Sequence, residues 1–78
     1  MVIRAQYTSE YGTYTDHTFV MEEVCYTPKS FHMRDQQGRV INIRCQNPSK
    51  AKAAYDHIAS AMMSGKQSIQ INLCEYQE

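Results

Sequence analysis

The sequence predicts an α+β fold: an antiparallel sheet of four to five strands with one helix packed on one face, in the order β-β-β-β-α-β or β-β-β-α-β. Three observations predict it. Apolar residues alternate with polar ones at both ends of the chain and in its middle, the period of a half-buried strand. Gly38 closes a short polar loop between two alternating runs, a hairpin signal. Asn47-Pro48 then opens a stretch in which apolar residues recur at helical spacing.

The elements follow in order. Ile3, Ala5 and Tyr7 alternate with Arg4, Gln6 and Thr8, giving a first strand. Ser9-Glu10-Tyr11-Gly12 reads as a turn, with Gly12 free to take positive φ. Thr13 to Tyr26 is rich in Thr, Tyr, Val and Phe, which favour strands; Glu22-Glu23 interrupts it, leaving one bent strand or two. Thr27-Pro28-Lys29 ends that run, because proline lacks the donor that a central strand needs. Ser30 to Arg34 and Arg39 to Cys45 form the hairpin around Asp35-Gln36-Gln37-Gly38. Phe31 and Met33 share one face of it, as do Ile41, Ile43 and Cys45; His32, Arg34, Asn42 and Arg44 take the other.

Asn47 suits the N-cap and Pro48 the first helical position, where a missing N–H costs nothing. Ala51, Ala54, Tyr55, Ile58 and Met62 form one apolar stripe, and Gly65 is placed to end the helix in a left-handed conformation. Ala53, Asp56, Ser60 and Met63 lie off the stripe. Ile69, Ile71 and Leu73 alternate with Gln70, Asn72 and Cys74 in a last strand running from Gln67 to Tyr76. A helix with one stripe covers one face of a sheet, while strands curled into a half-barrel with the helix plugging one end would satisfy the same pattern.

Composition bounds the functional classes. Seventy-eight residues make a single domain, 1–78, and a core this small rarely nets more than about 3–5 kcal/mol. Val, Ile, Leu and Phe total only 13, but six tyrosines and five methionines add apolar bulk, and zero net charge argues against disorder. Zero charge also weighs against generic affinity for nucleic acid or anionic membrane. No apolar run approaches the roughly 20 residues of a membrane span, and Met1 to Ala5 does not begin a signal peptide. Three widely spaced cysteines are an odd number, which favours reduced thiols in a cytoplasmic protein over a disulfide framework.

No motif for catalysis, cofactor or metal emerges. Cys25, Cys45 and Cys74 with His17, His32 and His57 contain no closely spaced ligand pair of the kind that zinc sites use. Cys45 shares parity with Ile41 and Ile43, which makes it a buried thiol. The three glycines have turn or cap roles and build no phosphate loop.

The expected function is therefore that of a small non-enzymatic interaction protein that binds a macromolecular partner. Small chains of this kind are frequent among phage and mobile-element accessory proteins, including inhibitors of host defence. Tyrosine mixed with Ser, Thr and Gly between Tyr7 and Thr18 is a composition that binding loops favour; it is equally at home in a hairpin with cross-strand aromatic pairs. Tyr7, Tyr11, Tyr14 and Met63 are the candidate protein-binding residues. The alternative is a nucleic-acid or anionic-ligand module using Arg4, His32, Arg34, Arg44 and Tyr76 on the polar sheet face, although the central aromatics that stack bases are missing there. A third reading is a small enzyme or ligand sponge with its site at an oligomer seam. A homodimer is expected, paired through an uncovered edge: the final strand by preference, the N-terminal one otherwise, with a hetero-partner as the competing occupant.

Overall fold

The computed structural model describes residues 1–9 and 11–78, and for Phe19 the main chain. Five strands and one helix follow in the order β1 (Val2–Thr8), β2 (Tyr14–Tyr26), β3 (Ser30–Asp35), β4 (Val40–Arg44), α1 (Pro48–Met63) and β5 (Ser68–Asn72), with a 3₁₀ turn over Leu73–Glu75. The spatial order is β4-β3-β2-β1-β5. The first four strands pair antiparallel as the hairpin signals predict, and β5 returns under the helix to lie parallel to β1. The α+β fold with one helix on one sheet face is as expected.

The run from Tyr14 to Tyr26 is one bent strand. Its first half pairs with β1 and its second with β3, and the register shifts between Met21 and Glu23. Glu22 is the extra residue of that bulge, which bends the strand and steepens its twist. The sheet consequently curls around its own apolar face. Ile3, Ala5, Phe31, Met33, Ile41, Ile43, Cys45, Ile71 and Leu73 line the inside, and Ala51, Ala54 and Ile58 of α1 close over them. Small alanines at two of these helix positions let α1 sit close to β2 and β3.

Punctuation works as the sequence says. Asn47 Oδ1 accepts from the Lys50 N–H at 2.9 Å, Pro48 stands at the first helical position, and Gly65 takes φ +73° just past the end. Glu10, in the first turn, lies outside the described residues; around it, Gly12 N–H donates to Ser9 O at 2.9 Å.

Four expectations need correcting. The last strand stops at Asn72, because the Asn72 side chain accepts from Cys74 N–H at 3.1 Å and caps a 3₁₀ turn that drops Leu73 into the core. β1 is interior, flanked by β2 and β5, and offers no free edge. Met62 is 47% exposed while Ala61 takes the buried position, since the buried stripe steps through Ala51, Ala54, Ile58 and Ala61 at three- and four-residue intervals and leaves Met62 at its edge. Tyr76 is half-buried against the core beside the helix, its hydroxyl 3.4 Å from His57 Nδ1 and its ring under the Lys50 ammonium, so it does not belong to the polar face.

Candidate functional site

Where the curled sheet fails to close, it leaves a cleft of about 600 Å³. One wall is Asn42–Arg44 of β4; the other is Thr8 and Ser9 at the end of β1, with Cys74 and Gln77 from the C-terminal segment. Main-chain parity decides what the β4 wall presents. Cys45 N–H donates to Lys29 O and Asp35 N–H to Arg39 O, so the odd residues of β4 address β3. Val40, Asn42 and Arg44 therefore turn their N–H and C=O groups outward, along the edge.

The C-terminal segment already occupies the top of that edge. Gln46 N–H donates to Tyr76 O at 3.0 Å and Glu78 N–H to Arg44 O at 2.9 Å, an antiparallel bridge between Cys45 and Gln77. Glu78 also holds the Arg44 guanidinium at 3.0 Å. On its other side the Gln77 side-chain amide takes both main-chain groups of Thr8, donating to Thr8 O and accepting from Thr8 N–H, each at 2.7 Å. A primary amide carries one donor and one acceptor in the geometry of a peptide group, so Gln77 continues the β1 ladder where β5 has turned away. Below Arg44, the β4 edge at Asn42 and Val40 has no strand on it.

The tyrosines divide. Tyr14 is 61% exposed and stands opposite Thr8 in the β1–β2 ladder, beside the cleft, and Tyr11 is exposed in the adjoining turn. Tyr7 points the other way, half-buried against the core with Ile3 and Ala5, and leaves the binding set. Met63 is 89% exposed but lies at the helix end that leads into Ser68, opposite Val2, at the far end of β1 from Thr8. The structure does not bring it to the tyrosines.

No family model, curated protein or solved structure matches this chain.

On the polar face, the three arginines are each engaged by a carboxylate. Arg4 holds Asp16 through Nη2 at 2.7 Å and Nε at 3.1 Å; Arg34 holds Glu23 at 2.8 Å, with Glu22 at 3.9 Å; Arg44 holds Glu78. The Arg4 hydrogen bond and charge keep the Asp16 carboxyl below the ordinary aspartate range. His32 is half-buried and its Nε2 lies 3.0 Å from Ser30 Oγ. The face presents balanced pairs where a phosphate would need unpaired cations.

Among the described residues that line the cleft, Cys74 is the one thiol, 3.8 Å from the Thr8 hydroxyl, and none is a histidine. Cys25 is exposed on β2, and burial pushes the Cys45 thiol pKa up. Among the described residues, no three His, Cys, Asp or Glu side chains converge as metal ligands. Among the described residues, no helix is long and apolar enough to cross a membrane.

Gln77 and the outward direction of the Asn42 main chain escaped the sequence reading, which placed Asn42 only on the polar face. The Thr8–Gln77 contact joins residues 69 apart, and no local pattern carries such information.

Proposed function

We propose that this chain is a non-enzymatic interaction protein that takes an extended segment of a protein partner along the outer edge of β4. The observation that carries this reading is the unfilled edge itself: Asn42 faces its main-chain groups into a cleft whose upper end is already laddered by Gln77 and Glu78, and Val40 continues the same outward edge beyond it. An incoming strand would extend that ladder, deriving affinity from main-chain hydrogen bonds and selectivity from side chains that alternate across the cleft. Tyr14, paired with Thr8, and Tyr11 in the turn that follows Ser9 are exposed next to that wall, where rigid amphipathic rings would cover an apolar or aromatic side chain of the partner at low entropic cost. Inhibition of a host defence protein is one use such a surface would serve.

Selection of displayed peptides against the protein tests the reading. The expected outcome is that selected peptides slow amide exchange at Asn42 and Val40. Their binding should fall at least about tenfold in Asn42→Pro, which deletes an outward donor while leaving the ladder to β3 intact. Peptides that bind Asn42→Pro as tightly as the parent would place the function elsewhere. Salt-sensitive binding of single-stranded nucleic acid in preference to any peptide would favour the arginine face instead.

A further inference from the structure

The second free edge, along β5, differs in kind from that of β4. Val2 N–H donates to Gln67 O at 2.9 Å, which sets the parity of the parallel pair. Ile69 and Ile71 direct their main chain to β1, and Ser68, Gln70 and Asn72 direct theirs outward. Nothing in Ser68-Ile69-Gln70-Ile71-Asn72 guards this edge: it holds no charge, no proline and no bulge, the devices by which edges avoid pairing.

The polar–apolar pattern of that edge also reads alike in both directions about Gln70, with Ser68 at one end and Asn72 at the other. Antiparallel pairing of two copies sets Gln70 opposite Gln70, Ser68 opposite Asn72 and Ile69 opposite Ile71. All the outward groups then meet as hydrogen-bonded pairs, about six bonds in all. Charge agrees with this register. Lys66 precedes the strand and Glu75 follows it, so antiparallel pairing brings the Lys66 of each copy toward the Glu75 end of the other. On the helix side a hollow of about 310 Å³ lies between α1 and Ile69, lined by Ser60, Ser64 and Lys66 among others. A twofold axis perpendicular to the sheet keeps both helices on one side and makes the two hollows face each other across the new ladder, covering the half-exposed Ile69.

We infer that the chain forms a homodimer by antiparallel pairing of β5 with β5 of a second copy, about a twofold axis through Gln70. The two sheets become one, and both β4 edges remain open at its ends. This inference rests on β5 alone and stands or falls separately from the β4 reading.

Sedimentation equilibrium across the micromolar range, with charge variants at the axis, tests it. The parent should sediment at twice the 9.0 kDa chain mass. Gln70→Lys and Gln70→Glu each place two like charges face to face, and each should sediment as a monomer with an unchanged circular dichroism spectrum, since Gln70 is exposed. Mixed in equal amounts they should regain the dimer mass, because the axis then pairs opposite charges. A 9.0 kDa parent throughout the range would overturn the inference. So would a dimer that both single variants retain, or variants that stay monomeric when mixed.

Discussion

At the tip of β3 the Asp35 carboxylate is 2% exposed and fully engaged. One oxygen accepts from Gln37 N–H at 2.9 Å and Arg39 N–H at 2.8 Å; the other takes the Arg39 Nε at 2.6 Å. The hairpin loop is thus built around this side chain, with Gly38 at φ +84° completing the reversal. Burial alone would raise the Asp35 pKa, but the Arg39 N–H, the Arg39 guanidinium and the Gln37 N–H outweigh it, and the carboxyl stays ionised below the usual aspartate range. In the unfolded chain an aspartate titrates near about 3.9. The stability from Asp35 is therefore complete above that value and is lost as pH falls through the lower, folded one. Thermal melts should show Tm declining steeply on acidification below about pH 4. Asp35→Asn should melt lower at neutral pH and show a shallower acid limb. An acid limb as steep in Asp35→Asn as in the parent would assign the effect to other carboxylates, Asp16 beside Arg4 first among them.

Among the elements, α1 owes its limits to single residues and its position to a few small ones. Asn47→Ala removes the acceptor for Lys50 N–H and should cost about 0.5–2 kcal/mol in denaturant titrations, with an unchanged slope. A midpoint that did not move would mean that water satisfies the first turn equally well. This helix was legible because its signals are local: a cap, a proline and a glycine each act within four residues of where they stand. The Asp35–Gly38 hairpin was legible for the same reason. β2 was half legible, since Glu22-Glu23 marked a break and only the partners on either side show that the break is a bulge. The length of β5 was not legible, because Asn72 reads as one more polar residue in an alternation until its side chain is seen to cap Cys74.

For the molecule as a whole, closure is a matter of contacts far apart in sequence. Gln77→Ala should speed amide exchange at Thr8 markedly while Ile3 and Ala5, deep in the ladder, stay protected. Equal exchange at Thr8 in both proteins would show that the amide adds nothing to the strand. The cleft escaped the sequence for the same reason: its walls come from residues near 8, 43 and 75, and the arginines that looked like a cationic face are neutralised by partners such as Asp16, 12 residues away, and Glu78, 34 away. The position of β1 has a consequence for how the chain is made. Its neighbour on one side, β2, follows at once, but its neighbour on the other, β5, is the last strand to leave the ribosome. While the strands between them are made β1 must wait with one flank bare, and the native sheet can assemble only once β5 has emerged.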